Sequence, residues 1–346
     1  MNDAITLLST KPPEFSEAAV TPFLKENYGV EGALKTLVSE RDQNFLVEPE
    51  SGDSFVFKIA SSAEVAGVTD FQVEALLHIE ENSPELLVPR VVRTLSGDTS
   101  FTIVGEDGRE HVARLLTWLE GVPLRYAEPK PNNAEDRGLF LGNLGVALAD
   151  FDHPFSDHVL LWDLSHAGQL AILLDNIESE TLRESCQGRL RRFEEHTQPE
   201  LLQLRSQVIY NDLNSSNLLV DPYDTETITG IIDFGDMVKS PLVIDVAVAA
   251  AYLCDAGDDP LSGIVKFLSG YSRVRPLQQE EVALLFDLIL TRNTMTIVIT
   301  HWRAADHPEN REYILRNEPR ARSTIDALTA MGREHVTDVF LKACRL

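Results

Sequence analysis

The first third of the chain alternates apolar and polar positions in short, turn-bounded runs. Residues 33–40, 44–48 and 54–60 read as strands, and Pro49-Glu50-Ser51-Gly52-Asp53 between the last two is turn chemistry. A short helix precedes them and ends at Gly29, with Thr21-Pro22 as its cap and first-turn pair. In the third strand Phe55, Phe57 and Ile59 share one face, which leaves Val56, Lys58 and Ala60 on the other. A helical period opens at Thr69-Asp70-Phe71-Gln72, where Thr69 and Gln72 have capping-box spacing, and runs to about Asn82. Residues 88–95, 99–104 and 111–118 read as further strands, the last broken by Glu120-Gly121-Val122-Pro123.

Beyond about residue 120 the period lengthens. Residues 134–151, 170–177, 182–196 and most of 279–346 repeat their apolar positions as helices do. One strand pair interrupts them, 218–220 and 228–232 around the turn Asp221-Pro222-Tyr223-Asp224. A β-rich N-terminal part followed by a mostly helical part is α+β organisation in two lobes, and the cleft between lobes is a favoured ligand site. Gly138, Gly142 and Gly145 lie inside a helical pattern and not after a strand, which predicts close helix packing over phosphate binding.

Composition narrows the partners. The 346 residues carry 55 acidic against 30 basic side chains, a formal charge of −25, so a general nucleic-acid binder is disfavoured. The same excess suits cationic small molecules, and plain solubility explains it equally well. Three cysteines lie far apart with no CxxC, as expected in a reducing compartment. The first residues show no signal-peptide pattern, and the longest uninterrupted apolar run, 246–254, is too short to cross a bilayer. The expectation is a cytoplasmic protein with no membrane partner. His153, His158 and His166 lack the spacing of a metal site, and no G-x-S-x-G elbow is present.

The most informative stretch runs from Val208 to Val220. Asp212 to Asn217 spells D-L-x-x-x-N, and after the hairpin Asp233-Phe234-Gly235 spells D-F-G. Phosphoryl transfer needs an aligned hydroxyl, oxygen ligands for a divalent cation, and positive charge on the phosphates. An Asp on a short loop can accept the hydroxyl proton. An Asn five residues later can return a neutral oxygen to the same point, and a carboxylate closing the hairpin completes an oxygen-rich cation site. Asp236, directly after D-F-G, could steer a cationic substrate, reach the metal or cap the next turn. Asp245 precedes an apolar run and reads as the orienting cap of a buried helix.

These stretches, with Arg41-Asp42-Gln43-Asn44-Phe45 and a weaker hint at His307-Pro308-Glu309-Asn310, resemble the aminoglycoside phosphotransferase/choline kinase family of the protein-kinase-like fold. Within it they are most similar to hydroxylysine kinases and to kinase-like domains fused to class-III aminotransferases. The resemblance implies a nucleotide-binding lobe over residues 1–117 and a catalytic, acceptor-binding lobe over 118–346. It implies Asp212 as catalytic base, Asn217 and Asp233 as Mg²⁺ ligands, and Lys58 as the lysine that grips the phosphates. Glu74, sixteen residues on, would pair with Lys58. Arg41 and Asn44 would belong to the loop over the phosphates, while Leu116 to Trp118 would offer hinge groups to the base. Late helical residues, Arg292, His301, Trp302 and Arg303, would wall the acceptor pocket, where an arginine could hold an amino-acid carboxylate bidentately.

The implied reaction moves the γ-phosphoryl of ATP or GTP to a hydroxyl of an amine-bearing acceptor such as 5-hydroxylysine. Homoserine, choline and aminoglycosides remain as other acceptors, and an aminotransferase is implied as a functional associate. The chain departs from the family pattern in two ways. Residues 39–44 contain no G-x-G-x-x-G, and Tyr210-Asn211 replace the usual histidine and glycine before Asp212. The second departure leaves open a non-catalytic nucleotide-binding module that regulates a partner.

Overall fold

The computed structural model describes Ile5 and residues 10–39, 41–254 and 259–346. Strands β1 (Gly32–Leu37), β2 (Gln43–Pro49), β3 (Phe55–Ile59), β4 (Val91–Val92), β5 (Phe101–Val104) and β6 (Glu110–Thr117) form one antiparallel sheet. Its order is β1-β2-β3-β6-β4, with β5 also on β6. The expected first strand ends at Leu37, and Glu40 lies outside the described residues. Gly52, at φ +97°, makes the left-handed turn between β2 and β3 that a side chain would strain. The expected strand at 88–95 shrinks to two residues, because Pro89 has no N–H to give and Thr94 turns to bond Asp98.

Register explains both faces of this sheet. Phe45, Phe57 and Leu115 lie opposite one another on β2, β3 and β6, fully buried against Val20, Leu24 and Tyr28 of helix α1 (Glu17–Tyr28). The other face carries the row Asn44, Lys58 and Arg114. The parity that sends Lys58 away from the packing side is therefore the observed one. Helix α1 starts at Ser16, whose Oγ accepts from the Ala19 N–H at 3.2 Å, and Pro22 lies inside the helix. Its missing N–H falls opposite exposed Ala18, whose carbonyl faces solvent. Gly29 closes the helix at φ +68°, as expected.

Helix α2 (Ala66–Asn82) begins before Thr69. Thr69 Oγ1 and Gln72 Nε2 both donate to Glu64 Oε2, at 3.0 and 3.4 Å, so neither side chain caps the helix.

The helical region is assembled around α7 (Gln279–Asp306), 28 residues long. This helix is long and apolar enough to span a bilayer by composition, but 89% of its most apolar window is buried inside the fold. It escaped the search for uninterrupted runs because Asn293, Arg292 and several threonines break it. Helices α3 (Ala134–Ala147) and α6 (Ser262–Val274) touch backbone to backbone: a Cβ on Gly138 would lie 2.0 Å from the Phe267 carbonyl oxygen. The glycines are packing residues. The segment expected as helix at 170–177 is the end of a 3₁₀ run, Leu164–Asn176, and α4 (Glu180–Arg192) passes into a π turn at Phe193–Thr197.

Small sheets present the loops. Strand β7 (Val122–Pro123) pairs with β9 (Leu218–Val220), which makes the expected hairpin with β10 (Ile228–Ile231). Strand β8 (Ser206–Ile209) pairs with β11 (Val238–Pro241), a ladder that no local pattern announced. The short helix α5 (Val243–Ala250), entirely buried, follows directly.

Candidate active site

The loop from β8 to β9 is pinned from three sides. Asp245, in the first turn of α5, accepts the backbone N–H of Asn211 at 2.8 Å and of Tyr210 at 3.2 Å. The carboxylate thus orients this loop as well as sitting in the first turn of its helix. Asn211 is left-handed at φ +64°, a conformation that Gly and Asn adopt most readily, and its Nδ2 donates to the Asp236 carbonyl at 3.2 Å. The Tyr210 hydroxyl donates to the Ile232 carbonyl at 2.5 Å, and its ring meets Phe234 edge-on with centroids 5.2 Å apart. Tyrosine here ties the loop to the strand leading into Asp233-Phe234-Gly235.

These ties hold Asp212 between two amides. Asn217 Nδ2 donates to Oδ2 at 2.6 Å and Asn214 Nδ2 to Oδ1 at 2.9 Å, while Arg292 Nη2 stands 3.7 Å from Oδ1. Burial is the main force that pushes the Asp212 carboxyl up to about 8; Asp236 adds to it, and Arg292 and Asn214 oppose it.

Asn217 and Asp233 are brought together by the backbone, since the Ile232 N–H donates to the Asn217 carbonyl at 2.9 Å. Asp233 is also left-handed, at φ +64°, and its Oδ1 receives the Gly235 N–H at 3.3 Å. Lys58 Nζ stands 3.8 Å from Asp233 Oδ1 and 3.8 Å from Asp42 Oδ2. Chiefly through Lys58, Asp233 is held below the usual carboxylate range. Arg41 Nη2 reaches Asp236 Oδ1 at 2.7 Å, so the loop before β2 is closed onto the segment after D-F-G. Asp236 is thereby ion-paired. Asn44 lies beside Lys58 in the register, with its Oδ1 buried and without a partner.

The structure corrects three expectations. Glu74 is exposed and makes no ion pair with Lys58. The apolar stripe of α2, with Val68, Phe71, Ala75, Leu76 and Ile79, leaves Glu74 roughly 130° away at 100° per residue. Gln72 falls within that stripe and takes the inward position, accepting from Arg114 Nη2 at 2.6 Å. Leu116 and Trp118 lack the open groups expected of a hinge: Leu116 is buried between Val56 and Val91, and the Trp118 N–H is committed to Ser54. Just past the strand, the N–H groups of Leu119 and Glu120 have no hydrogen-bond partner among the described residues. Trp302 is packed in the helical core, about 15 Å along α7 from Arg292 at 1.5 Å per residue. His301 faces Glu318 at 3.4 Å.

A divalent cation fits the donor set. Asn217 spends its Nδ2 on Asp212, which leaves Oδ1 as a neutral oxygen beside the partly exposed Asp233 carboxylate. One amide oxygen and one carboxylate suit a hard cation that takes its remaining ligands from phosphate and water. Among the described residues no group of three His, Cys, Asp or Glu forms a separate metal cluster.

The pattern of the phosphotransferase enzyme family (APH) fits residues 34–277, from β1 to the residues after α6, with Asp212, Asn217 and Asp233 inside it. The chain belongs to that family. Hydroxylysine kinase of Danio rerio is 26% identical over 343 residues, covering 95% of this chain and 96% of the relative. Hydroxylysine kinase of Mus musculus is 24% identical, covering 96% and 94%. Among solved structures, an amicoumacin kinase in complex with AMP-PNP, Ca²⁺ and Ami superposes with a TM-score of 0.68 at 16% identity, over 94% of each chain. A microcompartment-associated aminopropanol kinase gives 0.66 at 17%, over 94% of this chain and 100% of the other. The fold is that of the two-lobed kinases, and the enzyme is a phosphotransferase acting on a hydroxyl of a small molecule.

In this phosphotransferase the residues that local patterns missed are Asp245, Gln72 and Arg114. Each acts across the fold. Gln72 alone had a usable signal, a polar residue inside an apolar stripe.

Proposed function

We propose that this phosphotransferase transfers the γ-phosphoryl of ATP or GTP, with Mg²⁺, to the hydroxyl of an amino alcohol of the 5-hydroxylysine type. The observation that carries the proposal is the placement of Asp212: its carboxylate is immobilised by Asn217 and Asn214 on a loop that also delivers Asn217 beside Asp233. An immobilised carboxylate next to an oxygen donor pair suits a hydroxyl that must be aligned on a metal-bound phosphate. The full-length similarity to hydroxylysine kinases supports the acceptor.

In this reading Asp212 orients the acceptor hydroxyl and accepts its proton. Asn217 and Asp233 hold the cation, which neutralises phosphate charge when bound. Lys58 and Arg41 add positive charge from the sheet side, and the free N–H groups after β6 face the base. The reaction is placed in the cytoplasm.

The test is nucleoside diphosphate release with Mg²⁺ and either ATP or GTP, with and without 5-hydroxylysine, with Asp212→Asn as control. Release that depends on the acceptor and disappears in the variant supports the proposal and names the donor. A folded protein that binds nucleotide but turns over none of the amino alcohols offered overturns it.

A further inference from the structure

Arg292 is an unusual residue to find beside a catalytic carboxylate. Its side chain is 3% exposed, and its guanidinium lies over the Trp162 ring at 4.7 Å while Nη1 donates to the Trp162 carbonyl at 3.1 Å. These contacts fix the plane of the group without spending its charge. Nε is buried and has no partner, and the Asp212 oxygen 3.7 Å from Nη2 is too far for a hydrogen bond. A buried guanidinium with an unused donor is costly unless an anion completes it.

A second arginine lies on a helix packed against α7, the helix that carries Arg292. Arg320, at the start of α8 (Glu318–Met331), lies over the Tyr252 ring at 4.3 Å and donates through Nη1 to the Ala251 carbonyl at 2.7 Å. Among the described residues no carboxylate lies within 4.0 Å of it. Burial, with the Arg292 charge adding to it, holds its guanidinium below the ordinary arginine value. Both arginines are built alike: one nitrogen on a carbonyl, one face on an aromatic ring, and the remaining donors open. In a chain of net charge −25, one buried cation held only loosely by Asp212 and a second with no carboxylate within 4.0 Å among the described residues mark a place prepared for an anion.

The place is on the acceptor side. Asp212 uses Oδ2 for Asn217, which faces the cation site, and shows its Oδ1 edge to Arg292. An acceptor hydroxyl approaching that edge carries the rest of its molecule past Arg292. We infer that Arg292 and Arg320 seat the carboxylate of an amino-acid acceptor, so that the enzyme selects amino alcohols bearing a carboxylate over those without one. This rests on the proposed function and deepens it. It divides the acceptors there considered: hydroxylysine and homoserine carry the group, whereas choline, aminoglycosides and simple amino alcohols do not.

The experiment compares kcat/KM for 5-hydroxylysine and for its decarboxylated analogue, 1,5-diaminopentan-2-ol, in the full-length enzyme, Arg320→Gln, Arg320→Lys and Arg292→Lys. The unmodified enzyme is expected to prefer 5-hydroxylysine by about 100-fold, since a site built to pair a polar group rejects the analogue lacking it. Arg320→Gln should raise KM for 5-hydroxylysine at least tenfold more than KM for the analogue, and Arg320→Lys should recover part of the difference. Equal use of both acceptors by the unmodified enzyme overturns the inference and leaves the phosphotransfer reading intact. A variant that weakens both acceptors equally also overturns it, because that is a structural effect. If neither compound is phosphorylated, the proposed acceptor class fails, and calorimetric titration still decides the carboxylate site. Binding of 5-hydroxylysine but not of the analogue, lost in Arg320→Gln, sustains it, and equal or absent binding of the two rejects it.

Discussion

The two sides of the cleft hold their functional groups in different ways. On the sheet side Lys58 stands 3.8 Å from both Asp42 and Asp233, distances that provide attraction without fixed geometry, and the Asp233 side chain is 53% exposed. On the helical side Asp212 is 20% exposed and is gripped at 2.6 and 2.9 Å, on a loop whose backbone is itself held by Asp245 and Tyr210. Loose charge pairs can regroup around a nucleotide and its cation with little loss. A carboxylate that must meet one hydroxyl cannot be left to find its own position, and burial that raises its proton affinity needs neighbours that hold it in place. The difference is one of task. Phosphate charge is diffuse and tolerates adjustable partners, whereas proton acceptance at a single atom rewards rigidity.

The comparison breaks first at Asp212. Asp212→Asn keeps the shape and one acceptor oxygen for the two amides but removes the proton acceptor, and should lower kcat by about 10³-fold with the nucleotide KM nearly unchanged. A coupled assay of diphosphate release reads both, and a loss of less than tenfold would refute the assignment. Asp245→Ala acts on the support. It strands two buried N–H groups, those of Tyr210 and Asn211, at a cost of about 2–6 kcal/mol in stability. Urea unfolding measures this, and Asp245→Asn, which keeps one acceptor oxygen, should fall between.

How much of this could be read from the chain follows from the same contrast. Lys58 was placed by strand parity alone, because a sheet face is decided two residues at a time. Asp212, Asn217 and Asp233 were legible in order and spacing, since a short loop and a hairpin keep them close along the chain. What stayed hidden connects distant segments. The β8–β11 ladder joins strands of four residues each that begin more than thirty positions apart, too short for a periodic signal. Asp245 reads locally as a helix cap, and only the fold brings the Tyr210 loop over it. Arg320 sits on a late helix with no motif, and only the packing of α8 on α7 brings it toward the helix that carries Arg292. Glu74 was misjudged by counting residues from Lys58 instead of following the stripe that turns Gln72 inward.

Smaller effects sharpen the contrast. Tyr210→Phe deletes the hydroxyl that meets the Ile232 carbonyl and keeps the ring on Phe234. The expected cost is about 1–2 kcal/mol in stability, with kcat lowered several-fold through a looser loop. Tyr210→His, which can donate along a similar line, should recover part of kcat. If Phe and Tyr are equal in thermal unfolding and in rate, the hydroxyl bond does not brace the loop.

The smallest effect is expected at Glu74, and it separates two accounts of the sheet side. An ion pair holding Lys58 would make the charge of Glu74 essential, so Glu74→Gln would imitate Lys58→Met. In the structure Glu74 faces solvent, and Lys58 is attracted instead by Asp42 and Asp233, with Arg114 and Gln72 joined beside it. Glu74→Gln should therefore leave kcat and the nucleotide KM within about twofold, as exposed substitutions usually do. Lys58→Met should raise the nucleotide KM at least tenfold, because a phosphate-facing charge is lost. Equal damage from the two substitutions would mean that α2 rotates by nearly half a turn when nucleotide binds, the motion needed to bring Glu74 to the position Gln72 now holds. Equal thermal stability of the two variants in the absence of nucleotide would place that motion after binding.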